Sequence, residues 1–173
     1  GGTNTFLGSL TGTANTSGSD NTFAGYSAGN DVTTGIQNTL IGSLAGDALT
    51  DADRNTALGY QALTTDTQGS RTVAIGYNAL STQNFSSATD SYNVAVGYSA
   101  GSSITTSTGN TLIGGLAGDS LTIGVNNVAV GQGALGSDDV GSGNVAIGYL
   151  SLTAQNAPNA SVNYMRNTAV GDY

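Results

Sequence analysis

The sequence predicts an all-β protein, a parallel β-solenoid of about ten 17-residue rungs, and two observations carry this prediction. One pentapeptide, Asn-(Thr/Val)-x-(Ile/Val/Leu)-Gly, recurs along the whole 173-residue chain. Its second and fourth residues alternate with the third at period two, the pattern of a β-strand with one face inward. A unit of this length holds two short strands and two turns, and it buries a face only when neighbouring rungs stack about 4.8 Å apart. A helical array is disfavoured, because Gly and β-branched residues have low helix propensity.

Ten units are identified by the residue that opens each pentapeptide. Successive units lie 17 residues apart, except for spacings of 21 and 23 where two units carry insertions. The opening residues are Asn4, Asn21, Asn38, Asn55, Thr72, Asn93, Asn110, Asn127, Asn144 and Asn167. Both ends of the chain fall inside the repeat, so we expect residues 1–173 to form one solenoid domain that is a fragment of a longer fibre or adhesin.

Each position of the unit has an expected place in the rung. The second residue is β-branched in every unit and the fourth is aliphatic, so we expect both to face inward, as for Ile75, Ile113 and Ile147. The Gly that follows ends the strand where the backbone must turn. A small residue, Ala in most units, stands three positions after that Gly and predicts tight packing inside the rung. The remaining polar, variable positions predict an outer loop.

The third residue of the pentapeptide is then expected to point outward, although it is apolar in every unit. It is Phe6, Phe23, Leu40, Ala57, Ala74, Ala95, Leu112, Ala129, Ala146 or Ala169. A continuous apolar stripe on the outside of a thin rod needs a partner, and small Ala suits the close approach of three parallel rods. The sequence therefore predicts a homotrimer, which Ala129→Arg or Ala146→Arg is expected to break by burying an unpaired charge.

A second period of 72 residues lies over the first, because the segment NTLIGSLAGDALT (38–50) returns as NTLIGGLAGDSLT (110–122). The enlarged loops, residues 81–92 and 153–166, occupy equivalent places in the two copies. Inserted loops on a rigid scaffold are where binding concentrates, so we expect them to contact a neutral or weakly polar glycan, or to be inherited spacers. The candidate contact residues are Gln83, Asn84, Phe85, Tyr92, Gln155, Asn156 and Tyr164.

Composition excludes several classes of function. The chain has no His and no Cys, so it holds neither a Ser-His-Asp or Cys-His nucleophile nor an imidazole or thiolate metal site, and we expect neither an enzyme nor a cofactor. Its net charge is −8 and its three cations are all Arg, which argues against nucleic acid as a partner. No apolar run approaches the roughly 20 residues that a membrane span needs.

The strings Asn-Val-Ala-Ile-Gly (144–148), Thr-Val-Ala-Ile-Gly (72–76) and Asn-Val-Ala-Val-Gly (93–97) resemble the head repeat of trimeric autotransporter adhesins of the YadA type. Variants such as NTALGYQAL (55–63) also resemble repeats of bacteriophage tail fibres. The resemblance covers all ten units, with a longer period here than in the adhesin repeat. It implies a left-handed parallel β-roll, a homotrimer, and adhesion to a cell-surface glycan or protein receptor. The expected location is extracellular, on a bacterial outer surface or a virion fibre.

Three other patterns leave alternatives open. Asp51 with Asp53, and Asp138 with Asp139, would be solvated loop charges, Ca²⁺ ligands, or the acids of a polysaccharide depolymerase of the tailspike kind. Tyr side chains that follow the pentapeptide Gly would pack on their neighbours or stack on sugars. Thr doublets suggest an ice-binding role. The doublets at 33–34 and 64–65 occupy different rung positions, however, so they do not form a flat Thr array.

Two further patterns favour structural roles. Gly-Tyr-Ser-Ala-Gly, at 25–29 and 97–101, matches the hydrolase nucleophile-elbow motif, but the chain has no His to act as base. The Asn column that opens the pentapeptides is expected to bond from rung to rung or to turn backbone.

Overall fold

A computed structural model of the chain describes residues 2–155 and 163–172. Those residues form a parallel β-solenoid, and no helix occurs among them. One ten-stranded sheet runs the length of the rod, and every pair of neighbouring strands in it is parallel. Its strands, in their order across the sheet, are β1 (Thr5–Leu7), β2 (Thr22–Ala24), β3 (Thr39–Ile41), β4 (Thr56–Leu58), β6 (Val73–Ile75), β8 (Val94–Val96), β9 (Thr111–Ile113), β10 (Val128–Val130), β12 (Val145–Ile147) and β14 (Thr168–Val170). The fold class that the repeat predicts is thus confirmed.

Two short parallel pairs lie where the enlarged loops return to the solenoid. Strand β5 (Gly69–Ser70) pairs with β7 (Thr89–Asp90), and β11 (Gly141–Ser142) pairs with β13 (Asn163–Tyr164). Strands β5 and β11 are 72 residues apart in the chain. The two insertions therefore occupy equivalent places in the two copies of the larger repeat.

The predicted register of the strands is wrong, because the interior is lined by the third residue of each pentapeptide. Ala74 and Ala146 are fully buried, whereas Ile113 and Ile147 are 40% and 39% exposed. Ile75 is only half-buried. Alternation at period two fixes which residues share a face but leaves open which face is inside. Since Ala129 is fully buried as well, the argument that placed an Ala stripe between chains fails.

The narrow interior limits the combined size of the residues that face inward. The third pentapeptide residue lies opposite the residue four positions after the Gly, and their sizes compensate in most rungs, although Ala95 and Gly101 of rung 6 are both small. Leu40 is paired with Gly46, where an added Cβ would lie 2.8 Å from Leu40 Cδ2, and Ala57 is paired with Leu63, which is fully buried. The small residue three positions after the Gly is buried in every complete unit, as predicted.

A ladder of Asn side chains bonds the rungs along one corner. Asn38 Oδ1 accepts the backbone N–H of Asn55 at 2.9 Å, and Asn38 Nδ2 donates to the carbonyl of Ala52 at 2.8 Å. The same pair of bonds recurs at Asn21, Asn55 and Asn127. Each of these Asn side chains is buried and gives a hydrogen-bond partner to one backbone N–H and to one backbone carbonyl, which buried backbone groups need. The structural role predicted for the Asn column is confirmed.

Candidate functional site

The most extensive candidate surface is the outer side of the ten-stranded sheet, which we call the sheet face. It consists of two columns, the second and the fourth residues of the pentapeptides. The fourth residues are aliphatic throughout, and Leu58, Ile113 and Ile147 are each more than a third exposed. The second column is Thr or Val in every rung. An exposed aliphatic column that continues from rung to rung makes the sheet face a candidate contact surface.

Two columns of exposed side chains border the sheet face, one at each end of its strands. We call the column that immediately precedes the pentapeptide the N-edge and the column that immediately follows its Gly the C-edge. Most N-edge residues adopt a positive φ, for example 58° at Arg54 and 59° at Arg71, so the chain turns sharply there. From rung 2 to rung 10 the N-edge is Asp20, Gln37, Arg54, Arg71, Tyr92, Gly109, Asn126, Gly143 and Arg166, and the C-edge is Tyr26, Ser43, Tyr60, Tyr77, Tyr98, Gly115, Gln132, Tyr149 and Asp172.

The C-edge carries a stack of three aromatic rings. The ring centroids of Tyr60 and Tyr77 are 5.4 Å apart, as are those of Tyr77 and Tyr98, and the ring planes of both pairs are nearly parallel. All three rings are between 44% and 59% exposed. The rings pack on one another, as the structural interpretation of this column predicted, but they keep one long edge open to a partner.

All three arginines of the chain lie on the N-edge. Arg71 pairs with Asp90 and also lies over the ring of Tyr92, with its Cζ 5.9 Å from the ring centroid. Arg166 lies over Tyr164 at 5.6 Å, and Arg54 Nη1 is 3.8 Å from Asp53 Oδ2. These contacts leave the guanidinium groups of Arg54 and Arg71 substantially exposed.

The first enlarged loop is built partly into the core. Gln83 is fully buried, donates from Nε2 to Asp66 Oδ2 at 2.6 Å, and accepts a hydrogen bond from Asn93 Nδ2 at 2.8 Å. Phe85 is only 5% exposed, and its N–H donates to Asp66 Oδ1. Gln83 and Phe85 therefore offer no surface to a ligand, because they fill the rung in place of the usual apolar residue.

The remaining candidate contact residues are distributed differently. Asn84, Tyr92 and Tyr164 are exposed, the last two at 59% and 56%. Gln155 repeats the role of Gln83, since its Nε2 donates to Asp138 Oδ2 at 2.5 Å, while Asn156 lies outside the described residues. The 72-residue repeat of Asp66 as Asp138 and of Gln83 as Gln155 was the sequence signal for this buried pairing.

The Asp pairs do not converge on a site. Asp51 is exposed, whereas Asp53 Oδ1 accepts the N–H of Ile36 at 2.9 Å. Asp138 is fully buried and accepts the N–H of Gly141. Within residues 2–155 and 163–172, no group of three or more acidic side chains is arranged to hold a metal ion, and the surface forms no pocket.

Two other carboxyl groups have perturbed acidity. Burial raises the pKa of Asp47, outweighing the hydrogen bond that Thr64 Oγ1 donates to it at 2.6 Å. Burial likewise raises the pKa of Asp119, against hydrogen bonds from the backbone.

Thr residues do form a column, which the doublets did not reveal. Thr16, Thr33, Thr50 and Thr67 share one corner position in successive rungs, and Thr105 and Thr122 continue it. Thr33 Oγ1 donates to the carbonyl of Thr50 at 3.2 Å, and Thr50 Oγ1 donates to that of Thr67 at 3.0 Å. These hydroxyl protons are therefore used between rungs.

The serines of the two Gly-Tyr-Ser-Ala-Gly segments are part of the corner. Ser27 and Ser99 are 7% and 9% exposed, and the N–H of Ser27 donates to the carbonyl of Ser9 at 2.9 Å.

No protein-family model, curated protein or solved structure matches this chain. No helix in the described part of the chain is long and apolar enough to span a membrane.

Proposed function

We propose that the chain is a structural segment of an extracellular adhesive fibre, on a bacterial surface or a virion, in which three copies pack their sheet faces around a common axis. The observation that carries this proposal is the sheet face itself. Its aliphatic column runs through all ten rungs, while the polar outer loops lie on other sides of the rung. Burying such a column between copies contributes about 25 cal/mol per Å² of apolar area removed from water.

The trimer proposed here has a different basis from the one that the sequence predicted. The Ala column lies inside each rod, and the Val and Ile side chains of the sheet face supply the surface between rods. A rod of stacked rungs would hold its loops at fixed heights, and three copies would present each loop three times. Avidity across three weak sites then supplies attachment to a cell-surface receptor. Asn84 and Tyr164 are exposed on the enlarged loops and are the proposed receptor contacts.

Neighbouring residues of one strand provide a matched test. Ile147 is on the sheet face and Ala146 is in the core. Light scattering of the wild type should give three times the chain mass of 17.0 kDa. Ile147→Arg should give a folded monomer with unchanged β-sheet circular dichroism, because an unpaired charge is excluded from an interface but tolerated in water. Ala146→Arg should abolish folding. A wild-type particle of one chain mass would refute the trimer.

Receptor binding is tested separately. Asn84→Ala combined with Tyr164→Ala should lower attachment to target cells, with the trimer intact by light scattering. Unchanged attachment of the double variant would show that the receptor binds outside these loops.

A further inference from the structure

At several rungs the residues at the two edges of the sheet face are complementary, although the edges do not touch within one chain. At rung 4 the N-edge residue is Arg54 and the C-edge residue is Tyr60, and at rung 5 they are Arg71 and Tyr77. The five residues of the pentapeptide separate the edges of one rung, a distance on the order of 15 to 20 Å in nearly extended chain. Both cation–π contacts found within the described residues are instead with Tyr92 and Tyr164.

The third arginine has an acidic counterpart. At rung 10 the N-edge residue is Arg166 and the C-edge residue is Asp172. Each arginine of the chain therefore shares its rung with a C-edge Tyr or Asp, whose side-chain oxygen can accept a hydrogen bond from a guanidinium group.

Two rungs without a cation carry similar residues at both edges. Rung 7 has Gly109 and Gly115, and rung 8 has Asn126 and Gln132. Rung 9 is the exception, because Gly143 stands opposite Tyr149. Complementarity between positions that are out of contact in one chain is explained when they meet between chains.

We infer that the N-edge of one copy packs against the C-edge of the next copy, so that Arg54 and Arg71 lie on the Tyr60–Tyr77–Tyr98 stack of the neighbour. This inference rests on the proposed trimer. Rotation about an axis parallel to the rod keeps each rung at its own height and brings opposite edges together, whereas a two-fold axis perpendicular to the rod would make the rods antiparallel and bring like edges together. The Arg guanidinium groups can donate hydrogen bonds to the Tyr hydroxyl groups along the exposed edge of the stack, and the sheet faces are closed off from water behind them.

Cysteine cross-linking tests the edge pairing, because the chain has no Cys of its own. Asn126 and Gln132 are exposed, at opposite edges of rung 8. The double variant Asn126→Cys/Gln132→Cys, treated with a short bis-maleimide, should run as covalent dimer and trimer on a denaturing gel. Asn126→Cys alone and Gln132→Cys alone should stay monomeric on that gel. The off-edge double variant Gln132→Cys/Ser137→Cys should also stay monomeric, since Ser137 is exposed on the outer loop.

The outcomes separate the two proposals. A double variant that is trimeric by light scattering but is not cross-linked would overturn the edge pairing and leave the trimer standing. Cross-linked dimers from Asn126→Cys alone would overturn it in favour of antiparallel rods whose like edges meet. A wild type of one chain mass would refute the trimer itself. The double variant Arg54→Ala/Arg71→Ala should raise the concentration below which trimers dissociate by about tenfold or more. Each trimer loses six contacts between an Arg and the Tyr stack.

Discussion

Gln83 Nε2 lies 2.6 Å from Asp66 Oδ2, and both side chains are fully buried one rung apart. Gln83 also donates to Thr72 Oγ1 at 3.2 Å and accepts from Asn93 Nδ2. Thr72 stands where the other described units have Asn, so Gln83 bridges a gap in the Asn ladder. The insertion in this unit thus includes a polar plug that completes the hydrogen bonding of the rung.

Removal of this plug should destabilise the fold. Gln83→Ala leaves the buried carboxylate of Asp66 and the amide of Asn93 short of partners, and about 1–3 kcal/mol is expected for each unsatisfied group. The midpoint of urea unfolding measures the loss. Asn84→Ala, at an exposed neighbouring position, is the control and should leave the midpoint unchanged. An equal effect of the two variants would contradict the structural role of Gln83.

The Asn ladder can be tested with a buried and an exposed residue of one rung. Asn127 Oδ1 accepts the N–H of Asn144 at 2.9 Å, and its Nδ2 donates to the carbonyl of Gly141 at 2.9 Å. Asn127→Ala should lower the free energy of unfolding by about 1–3 kcal/mol for each backbone group left unpaired. Ser137→Ala, at an exposed position of the outer loop, should change it by less than about 0.5 kcal/mol. Chemical denaturation at one protein concentration compares the two.

Size compensation inside the rung predicts that a second substitution restores the stability lost through the first. Leu40→Ala should cost about 2–5 kcal/mol by opening a cavity, and Gly46→Leu should cost about 1–3 kcal/mol by overpacking against Leu40. The double variant Leu40→Ala/Gly46→Leu should recover most of this loss, because it reproduces the Ala57 and Leu63 pair of the next rung. Leu63 has a φ of 56° and Gly46 one of 53°, so the backbone already accepts Leu there. Additive losses in the double variant would argue against compensation.

The raised pKa of Asp119 predicts that replacing this residue by Asn stabilises the fold in a pH-dependent way. Because burial raises this pKa above its ordinary value of 3.8, the folded chain holds the proton more tightly than the unfolded chain, and ionisation costs stability. Asp119→Asn should therefore be more stable than the wild type at pH 7. The advantage should shrink as the pH falls through the raised pKa and vanish below about 3.8. Thermal unfolding from pH 3 to 7 measures it, with the exposed Asp51→Asn as control.

The repeat alone predicted much of the fold. Spacing and strand alternation located every strand of the long sheet, because a short repeat with period-two apolar residues has few other ways to bury a face. The inward face was assigned wrongly because aliphatic size was taken as the guide. The informative comparison was between Leu40 with Gly46 and Ala57 with Leu63, whose combined volume is nearly constant.

The contact surfaces were harder to predict. An insertion shows that the loop differs in length between units, but it does not show which of its residues are buried. The structure shows that Gln83 and Phe85 lie inside the rod. The edge pairing needs both the sequence and the fold, because Arg54 and Tyr60 correlate along the chain without an intrachain contact. Alternation of residues alone could not show which columns border one flat face.

The backbone hydrogen bonds between rungs have a mechanical consequence, because they run along the rod and not across it. The N–H of Gly42 donates to the carbonyl of Ala24, one rung away, at 2.8 Å, and equivalent bonds join each rung to the next. A force that pulls the two ends apart along the rod therefore opens one rung at a time. Each opened rung releases 17 residues, about 55 to 60 Å of slack chain. A single rod would thus yield to load in small, equal steps, and lateral joining of several rods is what would make it stiff in tension.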